Sequence, residues 1–239
     1  LPIHAGPNAM AGALAGISLP ESKARNAWRD AARKNYLAAL TAPVQPGDVD
    51  MGVITAHIRD TLPDDAIVTH GAGNFSIWPN KFIPYGKNQR MLGPQSGSMG
   101  FGLPAALAAK VHDPSRFVLC FAGDGDFQMN GNEMGTALQA GLKPVILIIN
   151  NASYGTIRMH QEREYPTRVS GTAIVNPDYM AIAAAYGFHG ERVTETGQFA
   201  DAYSRACASA TGAIVEIVTS TEAISPRNTI SALRAAAGT

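Results

Sequence analysis

Cysteine is almost missing from this chain. Two residues in 239, Cys120 and Cys207, are too few and too far apart for a zinc knuckle or a disulfide framework. Cys120 sits inside an apolar run and reads as a small core residue. Such sparing use fits a reducing compartment, so a cytoplasmic location is the expectation. Excess charge of either sign is missing too. Nineteen Lys and Arg balance nineteen Asp and Glu, which leaves no basic surplus to draw the chain to nucleic acid or to a membrane surface. No apolar run reaches the ~18 to 20 residues that span a bilayer, and no signal peptide is visible. The chain begins at Leu1 without a methionine and reads as a piece of a longer polypeptide.

What is present is an ordinary globular composition, 46% hydrophobic, with length enough for one full α/β core and an appendage. A helical pattern over Glu21–Leu40 places Trp28, Ala31, Ala32, Tyr36 and Leu37 at helical spacing. The two prolines and the glycine of "TAPVQPGDVD" mark a linker, and the domain boundary is expected near Pro46. Beyond it, apolar strands alternate with helices. The strands are "AIVTH", "RFVLCFAGDG", "KPVILIINN" and "GAIVEIVTS". Helices are expected from Asp48 or Asp50 through "MGVITAHIRDTL", through "GLPAALAAKVH" and "NEMGTALQAG", and from an Asn176 cap into "PDYMAIAAAYG". Two more are expected in "FADAYSRACASA" and "ISPRNTISALRAAAG". The pattern predicts an α/β fold: a doubly wound, mostly parallel sheet with helices on both faces.

In such a sheet ligands bind at the carboxyl ends of the strands. "GDGDF" places Asp124 just past one strand, and Asn150 and Asn151 end the next. A single crossover returns the chain parallel, so Asp124 and Asn151 fall on the same rim. A carboxylate, an amide carbonyl and a backbone carbonyl suit Mg²⁺ or Ca²⁺, and Mg²⁺ held this sparsely completes its shell with phosphate and water. Gly123 and Gly125 allow close backbone approach, and the amides of Gly125 and Asp126 open a helix whose amino end attracts phosphate.

With 24 residues between "GDG" and "NN", the pair resembles the metal–diphosphate motif of thiamine-diphosphate-dependent enzymes. "GSMGFGLPAALAAK" is similar to the loop and helix that hold the aminopyrimidine side of the cofactor in the acetolactate synthase and benzoylformate decarboxylase group. "HGAGNFSIW" is similar to that group's diphosphate-side loop. The resemblance covers about Pro46 to Ser220. It implies Mg²⁺ ligation by Asp124, Asn151 and the carbonyl of Ser153, and diphosphate contacts from Gly123, Gly125, Asp126, Gly73, Asn74 and Phe75. It places Gly97, Ser98 and Met99 against the pyrimidine, Met99 as the wedge that bends the cofactor, unless it is core filler. Tyr154, Ile157 and Arg158 would border cofactor or substrate, with His160 nearby. Arg158 meets a substrate carboxylate or is a solvated surface arginine. His70 faces substrate or merely ends a strand, and Glu133 reads as structural.

The resemblance further implies a 2-oxo acid substrate, a homodimer or homotetramer, and an activating glutamate on a pyrimidine-binding domain of the same or a partner chain, for which residues 1–45 leave no room. Those residues resemble the tail of a middle domain, with a linker helix, ahead of a diphosphate-binding domain over 46–239. FAD, where the family has it, belongs to the middle domain. An acetolactate-synthase-like carboligase is the leading expectation. A benzoylformate- or oxalyl-CoA-decarboxylase-like lyase and a non-catalytic diphosphate-binding module stand as alternatives. A nicotinamide-binding domain is disfavoured, because the glycines do not read G-x-G-x-x-G after the first strand.

Overall fold

The computed structural model describes residues 2–238; Leu1 and Thr239, the ends of the two expected domains, lie outside the described residues. The chain divides between Ala39 and Leu40 into two compact units. The first holds helix α1, Pro7–Ala15, and helix α2, Lys23–Ala38, whose Ser22 cap accepts the N–H of Arg25 at 3.3 Å. The expected helix is there. Its apolar stripe is not turned inward, since neither helix has a buried residue and Trp28 is 74% exposed.

The second unit carries the sheet. In chain order its helices are α3 Met51–Thr61, α4 Ile77–Phe82, α5 Gly102–His112, α6 Asp124–Asn130, α7 Met134–Gln139, α8 Gly155–Glu164, α9 Tyr179–Ala185, α10 Phe199–Ala208 and α11 Ile230–Ala236. Its strands are β1 Ile67–His70, β2 Arg90–Leu92, β3 Val118–Gly123, β4 Val145–Asn150, β5 His189–Val193 and β6 Ala213–Val218. All six pair in parallel, in the order β2-β1-β3-β4-β6-β5.

Period-two alternation splits the core into two layers. Leu119, Phe121, Leu147, Ile149, Val215 and Ile217 face α3, α4 and α10. Cys120, Ala122, Ile146, Ile148 and Ile214 face α5, α6, α7 and α9. Strands buried on both faces read as continuous apolar runs, which is why β3, β4 and β6 are plain in the sequence. The edge strands are not. All of β2 is exposed, and β5 reads "HGERV".

Two local expectations need correction. The helix after β3 is interrupted: α6 passes through a 3-10 turn, Gly131–Glu133, before α7 begins. The cap of α9 is Asp178, which accepts the N–H of Met180 at 3.0 Å and of Ala181 at 3.4 Å. Asn176 lies too early in the chain for that role, and its side chain is engaged elsewhere.

The order places β1 beside β3, while β2 lies outside β1 and β4 on the far side of β3. The sheet therefore reverses its winding between β1 and β3, and a crevice opens at their carboxyl ends.

Candidate functional site

A cleft of about 770 Å³, counted to its open mouth, occupies that crevice. The loop after β1 supplies Ala72, Gly73, Asn74 and Phe75. The turn from β3 into α6 supplies Gly123, Asp124, Gly125 and Asp126. Asn151, Ser153 and Tyr154 come from the end of β4, with Thr156 and Ile157 at the start of α8. Met99 lies in the wall, as do Gln45, Thr219 and Ile224.

Both aspartates are 3% exposed. Asp124 Oδ1 accepts the N–H of Gly125 at 3.0 Å, and Oδ2 accepts the Asn176 amide at 2.8 Å. Asp126 Oδ1 accepts two backbone N–H groups, Ala72 at 3.0 Å and Gly100 at 2.9 Å. Burial pushes both carboxyls up, that of Asp126 to about 6, against the pull of these hydrogen bonds. Neither aspartate forms an ion pair among the described residues. A buried carboxylate with only neutral donors is costly, and a bound cation would relieve that cost.

The glycines are required by contact. A Cβ on Gly71 would lie 2.0 Å from Asp126 Oδ1, and one on Gly125 would lie 2.6 Å from the Tyr154 ring. Past β4 the chain turns sharply at Ala152, whose φ of 51° is left-handed for a residue with a side chain. That conformation costs roughly 1–2 kcal/mol and is held by Asn150 Oδ1, which accepts the Ala152 N–H at 3.0 Å. Asn151 Oδ1 accepts the N–H of Ser153 at 3.1 Å, and Ser153 Oγ donates to the carbonyl of Thr172 at 3.0 Å.

The donor chemistry fits a hard divalent cation beside a phosphate. Among the described residues, no three His, Cys, Asp or Glu side chains converge as a cage. With Asp126 taken up by the N–H groups of Ala72 and Gly100, the cleft offers the Asp124 carboxylate, the Asn151 amide oxygen and backbone, the sparse oxygen set that leaves positions for ligand phosphates. At the turn into α6 the glycines make room for two rings of the cleft wall: a Cβ on Gly123 would lie 2.7 Å from Phe75, as one on Gly125 would from Tyr154 at 2.6 Å.

Several expected residues stand elsewhere. His70 is buried at the end of β1 and lies outside the cleft wall: Nδ1 donates to the carbonyl of Gly71 at 2.7 Å, and Nε2 accepts from Asn80 at 3.0 Å. Gly97 and Ser98 are exposed and outside the wall, the Ser98 hydroxyl lying 2.8 Å from that of Ser96. Arg158 turns along α8 to pair with Glu162 at 2.7 Å, and His160 meets Arg163. Asn74 bridges segments: its amide donates to the carbonyl of Ile224 at 2.8 Å, and its Oδ1 accepts the Thr156 hydroxyl at 3.0 Å. Glu133 accepts the hydroxyl of Thr136 at 2.7 Å, away from the cleft. Sequence reasoning missed Asn176 and the 219–225 loop. The buried Glu216 in β6 was the available signal, because a carboxylate inside a parallel strand demands polar partners.

The family described as "Thiamine pyrophosphate enzyme, C-terminal TPP binding domain" matches residues 71–217, more than half of the chain. The acetolactate synthase large subunit of Parasynechococcus marenigrum (strain WH8102) is 36% identical over 172 residues, 71% of this chain and 27% of that protein. Acetolactate synthase isozyme 2 large subunit of Escherichia coli (strain K12) is 34% identical over 156 residues, 64% of this chain and 28% of that protein. The acetolactate synthase large subunit of Lactococcus lactis subsp. lactis (strain IL1403) is 33% identical over 180 residues, 74% of this chain and 31% of that protein. The matched stretch thus spans between a quarter and a third of these relatives. The chain belongs to the thiamine pyrophosphate enzymes and carries their C-terminal cofactor-binding domain.

Proposed function

We propose that this chain is the diphosphate-binding part of a thiamine-diphosphate- and Mg²⁺-dependent enzyme acting on 2-oxo acids, of the acetolactate synthase kind. The single observation that carries the reading is the pair of buried carboxylates, Asp124 and Asp126, held by neutral donors at the winding reversal of the sheet. In this reading residues 46–239 form the cofactor domain, and residues 1–45 are the tail of a middle domain with its linker helix. The activating glutamate belongs to a pyrimidine-binding domain of the same protein or of a partner subunit, and the assembly is a homodimer or homotetramer. FAD, in an enzyme that carries it, sits outside this cleft.

When bound, thiamine diphosphate supplies an electron sink for the carbanion left as the 2-oxo acid loses carbon dioxide. The chain's own residues bind and orient. Asp124, the Asn151 side-chain oxygen and the Ser153 carbonyl would hold the metal. The backbone of Gly125 and Asp126 would hold the diphosphate together with Gly73, Asn74 and Phe75. Met99 would supply an apolar support for the cofactor and help to orient it. Tyr154 and Ile157 border the open side and exclude water. Decarboxylation and carboligation share this arrangement.

Isothermal titration of the complete protein with thiamine diphosphate, in Mg²⁺ and in chelator, tests the cofactor assignment. Product analysis with pyruvate then tests the acetolactate-type activity. Metal-dependent binding and acetolactate formation are expected. Binding without release of carbon dioxide from any 2-oxo acid would instead favour a non-catalytic module.

A further inference from the structure

Behind the cleft runs a chain of four polar side chains: Glu216 on β6, Asn150 at the end of β4, Asn176 on the loop before α9, and Asp124. Glu216 is 4% exposed. Its Oε2 accepts Arg192 Nε at 2.6 Å and its Oε1 accepts Asn150 Nδ2 at 2.7 Å. Asn176 Nδ2 donates one hydrogen to Asn150 Oδ1 and the other to Asp124 Oδ2, both at 2.8 Å. Asn176 Oδ1 accepts Gln128 Nε2 at 2.9 Å and lies 3.1 Å from the Tyr179 hydroxyl.

We propose that Asn176 is a positioning residue for Asp124, fixing the orientation of that carboxylate for a divalent cation through a one-way hydrogen-bond chain anchored at Glu216. The inference rests on the reading of the cleft as a metal and diphosphate site. The direction of the chain follows from what each group can do. Glu216, in its ion pair with Arg192, only accepts, so Asn150 turns its NH₂ to it and its oxygen to Asn176. Asn176 must then present NH₂ to Asn150, and its second N–H falls on Asp124. Reversing either amide sets oxygen against oxygen. Gly125 holds Asp124 Oδ1 and Asn176 holds Oδ2, so the carboxylate cannot rotate, while each oxygen keeps a lone pair for a cation. Groups of this kind orient metal-ligating side chains, and their loss weakens metal affinity by about 10–100-fold.

The chain also gives the two consecutive asparagines separate duties. Asn151 faces the cleft. Asn150 stands behind it, joining Asn176 to Glu216 and holding the left-handed Ala152 through its N–H.

The test uses the complete protein with saturating thiamine diphosphate. Mn²⁺ stands in for Mg²⁺, and free Mn²⁺ is counted by electron paramagnetic resonance. Asn176→Ala should raise the Mn²⁺ dissociation constant by about 10–100-fold. Asn176→Asp, which sets an acceptor against two acceptors, should raise it further. Glu216→Gln, which permits the amides to reverse, should raise it by a smaller factor. Asn176→Ala loses its bonds to Asn150, Asp124, Gln128 and Tyr179, so its metal-free melting temperature should fall, but by no more than about 10 °C. Asn176→Ala and Asn176→Asp that bind Mn²⁺ within twofold of wild type would overturn the proposal. So would an affinity loss matched by general destabilisation, with Asn176→Asp no worse than Asn176→Ala. Wild-type protein that binds no Mn²⁺ with the cofactor would overturn the cleft reading itself, and the proposal with it.

Discussion

One oxygen of Asp126, Oδ1, accepts the backbone N–H of Gly100 at 2.9 Å while holding that of Ala72 at 3.0 Å. The side chain from the start of α6 thereby ties the loop after β1 to the loop before α5, the two segments that resemble the cofactor's diphosphate-side and pyrimidine-side loops. Removing it leaves two inward-facing N–H groups without a partner, at about 1–3 kcal/mol each. Asp126→Ala should lower stability by roughly 2–4 kcal/mol in denaturant unfolding and weaken thiamine diphosphate binding. Asp126→Asn retains the accepting oxygen and should recover most of both. Equal losses in the two variants would show that the loops are not held by this oxygen.

Gly71 faces the same carboxylate, with no room for a methyl group: a Cβ there would lie 2.0 Å from Asp126 Oδ1 and 2.4 Å from its Cγ. Gly71→Ala should displace Asp126 and reproduce most of the Asp126→Ala loss, and the double variant should lose little more than either alone. Additive losses in a double-mutant cycle would contradict the coupling.

Glu162 on α8 is fully buried and binds two arginines, Arg234 of α11 at 2.7 Å and Arg158 at 2.7 Å, while accepting the N–H of Thr167 at 3.0 Å. The Arg234 hydrogen bonds lead in drawing its carboxyl down to about 2. A depressed carboxylate contributes stability that is complete above its unfolded value of 4.5 and is lost as pH falls toward 2. With Arg234 partly open to solvent, the contribution is on the order of 2 kcal/mol. Glu162→Gln should be destabilised near neutral pH and should show a flatter acid limb between pH 4.5 and 2 in pH-dependent unfolding. An acid limb unchanged from wild type would refute the assignment.

Much of this was legible in the residues. Central strands buried on both faces show as unbroken apolar runs, so β3, β4 and β6 and the parallel winding follow directly. Asp124 and Asn151 fall on one rim because a crossover between parallel strands puts them there. Other features leave no local trace. The edge strands β2 and β5 lack apolar continuity because one or both faces meet solvent or charge. Asn176 beside Pro177 matches a helix cap by residue type, yet its partners lie 52 and 26 positions away. His70 and Arg158 have chemistry that suits a site, and only the fold reveals that Asn80 and Glu162 already hold them.

The most direct test of the central claim is titration calorimetry with thiamine diphosphate on the wild-type protein and on Asp124→Ala, each in Mg²⁺ and in chelator. Wild type should bind in Mg²⁺ alone, and the variant should not bind. Binding by wild type in chelator, or by Asp124→Ala as tightly as by wild type, would contradict it.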